Sequence, residues 1–363
     1  MFKIDRRLLQ NVDWLLLASA LAVVGLGLVT LWTLAPGRGG SAVAWRQLSW
    51  LAIGLLALVV VASVDYRTLV RAAPALYVAG LGLLVFVMIA GRTVSGARRW
   101  LPLGPVSLQP SELFKLIFIL TVVWAFTSRW AQPRSWGTLA LPLGLLAVPF
   151  LLIVKQPDLG SAAVLLPVAV VLLVGAGARL KAIGWLSLAG AVGAPLAWLV
   201  LKDYQRERIL VYLDPVRDPL GTAYNVIQSK IAIGSGQLLG KGIAGATQSR
   251  LAFLPERHTD FIFAVFAETW GFVGCLLLLL CYGCLLLRGF EIAATARDSL
   301  GRLLALGVVA LLATQMLINT GMVTGLVPVV GLPLPLMSYG GSSMVVTWAA
   351  LGLLLSVRMR QFG

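Results

Sequence analysis

Residues 254–288 read LPERHTDFIFAVFAETWGFVGCLLLLLCYGCLLLR and pass from a cluster of charged and hydrogen-bonding side chains into a long apolar run. As a helix, this run is long enough to cross a hydrocarbon core about 30 Å thick. Asp260 immediately precedes the run, at the boundary between water and hydrocarbon. An ionisable side chain at that place is unfavourable unless it is paired, hydrated or used, so Asp260 is a candidate functional residue.

The composition extends this pattern to the full length of the chain. Of its 363 residues, 59% are hydrophobic and 12% are charged, and the mean hydropathy is +0.93. These values exclude a soluble domain of this length, and the apolar runs are too long for barrel strands. We predict an all-α integral membrane protein, a single domain over residues 1–363, with about ten transmembrane helices near residues 13–35, 47–64, 74–91, 111–128, 137–154, 160–178, 182–201, 261–288, 302–326 and 342–357.

Basic residues give the orientation of these helices. Every second connection is short and basic, as the positive-inside rule requires of cytoplasmic loops, which predicts that both termini are cytoplasmic. The long connection 202–259, between the seventh and eighth helices, is then extracytoplasmic. The basic residues of the cytoplasmic side are Lys3, Arg6, Arg7, Arg67, Arg71, Arg129, Arg134, Arg179, Lys181, Arg288, Arg297, Arg302, Arg358 and Arg360.

The outer side carries nearly as many basic residues, which is unusual for a membrane protein. They form either a solvated surface or a site for an anionic substrate, since Arg and Lys pair with phosphate oxygens. Nucleic acid is excluded as a partner because the basic residues are divided between two faces of a membrane. The outer set is Arg92, Arg98, Arg99, Lys202, Arg206, Arg208, Arg217, Lys230, Lys241, Arg250 and Arg257.

The long loop contains two stretches with a recognisable pattern. Residues 223–234 space their apolar side chains as an amphipathic segment that would lie on the membrane surface or on the protein. The glycine-rich stretch 234–242 lacks the spacing of a phosphate loop. It is either flexible backbone close to a substrate or a turn packed tightly on neighbouring helices.

The residues that usually hold metals or form disulfides are sparse. Cys275, Cys281 and Cys284 all fall in the eighth span, so no disulfide framework is implied, and His258 is the single histidine. No zinc-like spacing is present. A divalent cation such as Mg²⁺ or Mn²⁺, held by carboxylate and phosphate oxygens, is compatible with this composition, and no organic cofactor is expected.

Three further clusters carry chemistry, and the predicted topology places all of them on the outer side. Gln109-Pro110-Ser111-Glu112 opens the fourth span, and Lys115 shares a helix face with Glu112, either as a structural ion pair or as part of a site. Residues 155–160, KQPDLG, form the turn between spans five and six. Residues 319–343, NTGMVTGLVPVVGLPLPLMSYGGSS, break an apolar stretch with Pro and Gly, which membranes tolerate only in protein interiors or cavity walls.

The last cluster resembles the signature of the SEDS family (shape, elongation, division and sporulation). The shared pattern is an Asn, five residues, Gly-Leu-x-Pro-x-x-Gly and then Ser-Tyr-Gly-Gly-Ser-Ser, matched by Asn319, Gly325–Gly331 and Ser338–Ser343. The resemblance extends to QPSE at 109–112, QPDLG at 156–160 and LPERHTDFIFAVFAE at 254–268. Within the family the chain is most similar to the elongation, RodA-type branch, with the division branch as the alternative. Thr269 departs from the second acidic residue common there.

The resemblance implies a peptidoglycan glycosyltransferase in the bacterial cytoplasmic membrane. Such an enzyme would polymerise lipid II on the outer face for cell elongation and rod shape. Its partners would be a class B penicillin-binding protein, the transpeptidase, and the rest of the elongation machinery. The alternatives are a lipid II flippase and a non-catalytic scaffold for that transpeptidase.

Asp260 matches the family's essential aspartate and is assigned as general base, with a pKa raised by desolvation and opposed by Arg257. From the local sequence alone, Asp260 is equally compatible with a helix N-cap. We expect Arg98, Arg99 and Lys115 to hold the pyrophosphate and Glu112 to orient Lys115. The remaining candidate substrate-binding residues are Gln109, Ser111, Asp158, Lys241, Arg257, Ser338 and Gly340.

Overall fold

The computed structural model describes residues 10–34, 38–94, 97–103, 106–127, 136–198, 203–214, 223–246, 254 and 256–361. Several sequence predictions fall outside these ranges. They concern the basic residues Lys3, Arg6, Arg7, Arg129, Arg134, Lys202, Arg217 and Arg250.

Helices account for most of the described chain, and a helix lies over each predicted span. Among the described residues, six helical segments are long and apolar enough to cross a membrane: Trp14–Thr33, Ala42–Ser63, Tyr66–Ala90, Ile262–Ala294, Ser299–Thr324 and Gly341–Met359. The predicted helical membrane-protein class is therefore confirmed. In chain order the helices are α1 (Trp14–Thr33), α2 (Arg38–Ser63), α3 (Tyr66–Ala90), α4 (Pro110–Thr127), α5 (Trp136–Lys155), α6 (Leu159–Gly175), α7 (Leu180–Ala197), α8 (Asp203–Leu213), α9 (Tyr224–Gly236), α10 (Gly242–Gly245), α11 (Ile262–Ala294), α12 (Ser299–Thr324) and α13 (Gly341–Met359).

Aspartates fix the starts of four of these helices. The carboxylates of Asp13, Asp65, Asp158 and Asp298 accept backbone N–H groups of the first turns of α1, α3, α6 and α12. Asp is favoured at this position because its oxygen satisfies a donor that has no partner inside the helix. In a chain with so few acidic residues, these caps define where the apolar runs begin.

Three short strands occupy the segment before α4, where the sequence predicted only a loop. They are β1 (Arg92–Val94), β2 (Ala97–Leu103) and β3 (Val106–Leu108), joined in the order β1-β2-β3. Both pairings are antiparallel, with Thr93 opposite Arg98 and Leu101 opposite Leu108. This small sheet carries the basic residues Arg98 and Arg99 to the edge of the helix bundle.

Helices α12 and α13 form the centre of the bundle. Within their apolar windows, 67% of α12 and 78% of α13 is buried inside the protein, against 28% of α3 and of α11. Helix α13 packs against α2. A Cβ at Gly54 of α2 would lie 2.5 Å from Cδ1 of the fully buried Trp348. The close approach of these two helices therefore requires glycine at this position.

The chain between α12 and α13 is not helical, as its prolines and glycines predicted. Leu332, Leu334, Leu336 and Met337 are buried in the core, while other residues of this segment face a cavity. Irregular backbone at this depth is thus enclosed by protein or lines a cavity, in agreement with the sequence.

The described parts of the long loop contain α8, α9 and α10, and α9 covers most of the predicted amphipathic segment. Of the two roles left open for the glycine-rich stretch, the structure supports tight packing. A Cβ at Gly236 would lie 2.1 Å from the Ala267 carbonyl oxygen, and one at Gly240 would lie 2.2 Å from that of Thr269.

An ion pair at the opposite end of the bundle from the cavity ties α1 to α11 and provides a test of this packing. Asp13 is buried, and its Oδ2 lies 2.6 Å from Nη2 of Arg288. We expect Arg288→Gln to lower the free energy of unfolding by about 3 kcal/mol, because it leaves a buried carboxylate without its cation. Thermal unfolding of the purified protein in detergent measures this change.

The double variant Asp13→Asn, Arg288→Gln is the matched control. Asn retains the N-cap and removes the buried charge, so most of the lost stability should return. Equal losses in the single and double variants would contradict an electrostatic role for the pair.

Candidate active site

A cavity of about 750 Å³ opens where the sheet, the helix starts and the irregular segment meet. Its wall combines basic, acidic, hydroxyl and aromatic side chains. The lining residues are Arg92, Arg99, Trp100, Ser107, Gln109, Glu112, Pro157, Ser161, Arg208, Glu256, Thr259, Asp260, Val330, Gly331, Pro333, Tyr339, Gly340, Ser342 and Ser343. The three predicted clusters and the Asp260 turn therefore converge on one site.

Several helices begin at this cavity. First-turn residues of α4 (Glu112), α6 (Ser161) and α13 (Ser342) line it, and α11 begins two residues after Asp260. A helix N-terminus carries a partial positive charge and exposed N–H groups. The converging helix starts thus add to the positive charge of Arg92, Arg99 and Arg208, and the wall suits an anionic ligand.

Asp260 lies on the wall with a pKa raised to about 6. Burial is the largest cause, and the charge of Glu256 raises the pKa further, whereas Arg99 and Arg208 lower it. The predicted rise is present, but the opposing cations differ from Arg257, which the sequence suggested. A carboxylate with this pKa is mostly ionised near pH 7 and can accept a proton.

The structure does not support the N-cap alternative for Asp260. The N-cap of α11 is Phe261, and no side chain caps this helix start. Gly331, in the left-handed region at φ +70°, lies against the carboxylate, and a Cβ there would be 3.3 Å from Asp260 Oδ2. The carboxylate therefore lies against the Gly331 backbone at the cavity wall and does not cap α11.

Asp158 joins the QPSE and QPDLG motifs behind the wall. Its Oδ2 accepts hydrogen bonds of 2.9 Å from Gln109 Nε2 and from Ser111 Oγ, and Oδ1 accepts the Ser161 amide. Arg99 Nη1 lies 3.7 Å from Oδ1. Because Asp158 and Ser111 are buried, they shape the wall through Gln109 and Arg99, which line it.

Arg99 is the basic residue best placed to bind a ligand. Pairing with Asp158 orients its guanidinium, and its buried Nε has no hydrogen-bond partner. The Arg99 side chain as a whole is 26% exposed and lines the cavity, so its accessible part can contact a bound anion.

The Glu112–Lys115 pair has the opposite arrangement to the one predicted. Lys115 Nζ lies 2.6 Å from Glu112 Oε1, and both side chains are buried. Glu112 lines the cavity and Lys115 does not, because Lys115 is one helical turn further from the start of α4. The lysine therefore neutralises the glutamate from behind.

Other predicted residues lie away from the cavity wall. Arg98 is exposed, and its Nε bonds Thr93 Oγ1 at 3.3 Å. Lys241 lies 3.7 Å from the buried Glu268. Arg257 and Ser338 are also outside the lining, whereas Gly340 is part of it.

Arg208, Glu256, Trp100 and Tyr339 line the cavity and were not among the predicted site residues. Trp100 and Tyr339 stand inside predicted motifs, so their neighbours gave a signal. For Arg208 the sequence gave no signal beyond its charge, because only the folding of α8 brings it to the cavity wall. Within the described ranges, no group of three or more His, Cys, Asp or Glu side chains is arranged to hold a metal ion.

Comparison with known proteins identifies the family. The model of the FtsW/RodA/SpoVE family, described as cell cycle protein, matches residues 11–362. The chain belongs to this family. It is 45% identical over 313 residues to peptidoglycan glycosyltransferase MrdB of Escherichia coli K12, covering 86% of this chain and 84% of MrdB. It is 40% identical over 316 residues to stage V sporulation protein E of Bacillus subtilis 168, covering 86% of each.

Solved structures agree with this family assignment. A chain from a peptidoglycan synthase complex has a TM-score of 0.82 at 38% identity, covering 97% of this chain and 98% of that one. The rod shape determining protein RodA of Thermus thermophilus has a TM-score of 0.72 at 33% identity, covering 97% and 98%. The predicted family is confirmed.

The signature residues by which the chain was assigned to the FtsW/RodA/SpoVE family hold the Asp260 turn. Three consecutive carbonyls accept hydrogen bonds from this region: His258 from the Tyr339 amide at 2.8 Å, Thr259 from Ser338 Oγ at 2.6 Å, and Asp260 from Asn319 Nδ2 at 2.9 Å. Ser338 also accepts the Leu334 amide at 2.8 Å. Ser338 was expected to bind substrate, and the structure instead makes it a support for the turn.

This support predicts a local effect of Ser338→Ala. The variant leaves the buried Leu334 amide and the Thr259 carbonyl unpaired, so we expect a loss of about 1–3 kcal/mol in stability. Faster hydrogen exchange of the peptide containing residues 256–261 should accompany it. Thermal unfolding and exchange mass spectrometry measure the two effects.

Ser235→Ala is the matched control, because the Ser235 hydroxyl bonds only a carbonyl of its own helix. Ser338→Thr, which retains the hydroxyl, should restore slow exchange. Unchanged exchange at residues 256–261 in Ser338→Ala would show that the turn is held without this bond.

Proposed function

We propose that this protein is a peptidoglycan glycosyltransferase that polymerises lipid II on the outer face of the bacterial cytoplasmic membrane. The observation that carries the proposal is Asp260, an ionisable carboxylate with a raised pKa, on the wall of a cavity that also presents Arg92, Arg99 and Arg208. In lipid II a sugar is linked to an anionic pyrophosphate. Transfer of that sugar therefore requires a base for the acceptor hydroxyl and cations for the departing pyrophosphate. The names of the family relatives support the same activity.

The proposed topology has about ten transmembrane helices, both termini in the cytoplasm and an extracytoplasmic connection between α7 and α11. It is supported by the basic residues Arg67, Arg297 and Arg302, which lie near helix ends opposite the cavity. This orientation opens the cavity toward the outer face, where a lipid-linked sugar and a growing glycan can both reach it.

The proposed reaction is a direct displacement at the anomeric carbon of the donor sugar. The acceptor hydroxyl oxygen forms the new glycosidic bond while the bond to pyrophosphate breaks, and the hydroxyl proton passes to the Asp260 carboxylate. A single displacement inverts the anomeric centre and forms no covalent sugar–enzyme intermediate. Pyrophosphate is a good leaving group, so a second carboxylic acid is not required.

Positive charge on the wall would stabilise the departing pyrophosphate. Arg99 is the principal candidate because it lines the cavity and is oriented by Asp158, with Arg208 as a second cation. Gln109, Gly340 and Glu112 are proposed to position the sugar and phosphate groups, and Asp158, Ser111 and Lys115 to support them from behind. Ser338 would act through the Asp260 turn, and Lys241 and Arg257 remain further candidates.

A divalent cation, Mg²⁺ or Mn²⁺, is also proposed, bound mainly by the phosphate oxygens of the substrate, because such ions need little protein ligation. Neither Asp260, the proposed base, nor Glu256 is assigned as its ligand. Such a cation would neutralise pyrophosphate charge during its departure.

We further propose that the protein works with a class B penicillin-binding protein within the elongation machinery. The similar chain in a complex that coordinates polymerization and crosslinking supports this pairing. The identity to MrdB, 45%, is higher than the 40% identity to stage V sporulation protein E, which supports the elongation branch.

Asp260→Asn tests the role of the base. The substitution preserves side-chain size and removes the proton acceptor, so we expect at least a 100-fold loss in polymer formation from purified lipid II. Labelled products resolved on a gel, with and without the transpeptidase partner, measure this loss. Polymerisation near the wild-type rate would reject Asp260 as base, and absence of polymer from the wild-type protein would favour the flippase or scaffold alternatives.

The pH dependence of the same reaction follows from the raised pKa. The base must be deprotonated, so the rate should fall as the pH drops through about 6, the pKa of Asp260. Glu256→Gln is the matched variant: it removes a charge that raises this pKa. Its profile should therefore shift to lower pH while activity near neutral pH is retained.

Arg99 and Arg98 form a natural matched pair for testing pyrophosphate binding. Arg99→Gln should raise the KM for lipid II about 10-fold or more, the effect of losing a charge-assisted hydrogen bond. The pH at which the polymerisation rate falls should also rise, because Arg99 lowers the pKa of Asp260.

Arg98→Gln should leave the KM within about two-fold of wild type and the pH dependence of the rate unchanged. The reason is that Arg98 is exposed and does not line the cavity. Equal effects of the two substitutions would show that the basic residues act through a general field and that Arg99 has no specific contact.

A further inference from the structure

Helix α11 is broken inside its apolar run. Gly271 has φ 64° and ψ −162°, outside the helical region. The turn between α9 and α10 pairs with the backbone on both sides of this break: the Phe272 amide donates to the Gln237 carbonyl at 2.8 Å, the Val273 amide to the Leu238 carbonyl at 3.1 Å, and the Lys241 amide to the Glu268 carbonyl at 2.9 Å. The turn therefore supplies the partners that the broken helix lacks.

The contact is so close that two facing glycines are required. A Cβ at Gly271 would lie 2.2 Å from the Gly240 amide nitrogen, and one at Gly240 would lie 2.7 Å from that of Gly271. Both residues have positive φ, which glycine adopts without strain. The turn is thus a fixed part of the bundle at this level.

The level of the contact lies within the expected hydrocarbon region. Arg288, at the other end of α11, pairs with Asp13 at the start of α1. About 20 helical residues cross the core, and counting them back from Arg288 reaches Glu268. Phe272 and Val273 are then roughly 6–8 Å inside the outer boundary, at 1.5 Å per residue.

Burial along α11 supports this level independently. Residues 261–267 are all buried in protein, whereas exposed apolar side chains begin at Trp270 and continue with Phe272, Val273 and Leu276. Trp is favoured where a helix passes from headgroups into hydrocarbon. The lipid-facing surface of α11 therefore begins where the turn contacts it.

The outer side of the turn continues that surface. Leu238 is 68% exposed and Leu239 is 79% exposed. The Leu238 carbonyl accepts the Val273 amide, and Leu239 is the next residue of the turn. Ile243, which follows the turn, is also exposed. Lys241, the charged residue of the turn, pairs with buried Glu268, so its ammonium is directed toward the protein.

We propose that residues 236–243 form a re-entrant turn in the outer leaflet, with Leu238 and Leu239 in contact with lipid acyl chains. The long connection is then only partly extracytoplasmic: α9 descends into the bilayer and the chain returns through α10. Acyl chains are the occupant that the structure favours, because the leucines extend the lipid-facing surface of α11 and the charged residue of the described turn, Lys241, is paired with Glu268.

Spin labelling of the full-length protein in lipid nanodiscs tests this placement. In a background with Cys275, Cys281 and Cys284 replaced by Ala, single cysteines at Leu239, Leu280 and Lys230 would carry a nitroxide. Leu280 is an exposed position further along α11, and Lys230 lies beside Gly325 at the end of α12. Collision rates with oxygen, which enters bilayers, and with a water-soluble nickel chelate are compared at each site.

At Leu239 we expect the oxygen rate to exceed the nickel rate several-fold, as at Leu280, with the order reversed at Lys230. A nickel rate exceeding the oxygen rate at Leu239 would place the turn in water and overturn the proposal. Protection from both reagents would show a protein cover, such as a second copy of the chain, and would also overturn it. The measurement uses no substrate, so its outcome does not depend on the proposed activity.

A bimane label at Leu239→Cys provides a second readout, which does not depend on the mobility of the spin label. Brominated acyl chains should quench its fluorescence at least two-fold more strongly than iodide in the buffer. Stronger quenching by iodide would contradict contact with lipid. An unchanged gel-filtration profile relative to the cysteine-free parent establishes that the labelled variants are folded.

Discussion

Backbone amides and carbonyls at membrane depth need hydrogen-bond partners within the protein, and this constraint governs the structure. Regular helices satisfy it along most of the chain. Two places do not: the segment between α12 and α13, and the break at Gly271. Each obtains its partners from a distant part of the sequence, and each therefore fixes one element against another. The Asp260 turn depends on the first of these arrangements.

That turn connects the family signature to the proposed chemistry. His258, Thr259 and Asp260 are three successive residues whose carbonyls could not be satisfied within a helix that begins at Ile262. Asn319 and Ser338 supply side-chain donors, and Asn319 also donates to the Leu332 carbonyl at 2.6 Å. The buried amide of Asn319 thus links the Asp260 turn to the irregular segment. The position of the Asp260 carboxylate and the conformation of the segment between α12 and α13 are therefore coupled. A change in one would alter the other.

The sequence predicted the helical class, the family and the convergence of three motifs, because apolar runs and turn residues report directly on local structure. Side-chain direction was less accessible. The spacing of Glu112 and Lys115 places them on one helix face, but only the position of the helix start shows that Glu112 reaches the cavity. Arg98 and Arg99 are neighbours in sequence, yet successive residues of a strand point to opposite sides. Their different roles depend on β1–β2 pairing, which the sequence did not indicate.

Arg208 shows a further limit and also completes the electrostatic argument. It belongs to no motif and reaches the wall because α8 packs on the irregular segment, where Arg208 Nη1 bonds the Val329 carbonyl at 3.3 Å. With Arg99 it lowers the pKa of Asp260, against burial and Glu256, which raise it.

Burial alone would favour a protonated Asp260 that could not serve as a base, and cations alone would give a weakly basic carboxylate. The intermediate pKa requires both influences, and the same two arginines that set it are those proposed to bind the pyrophosphate. Substrate binding would partly neutralise them and so raise the pKa of Asp260, making the carboxylate a stronger base when the acceptor hydroxyl has to be deprotonated.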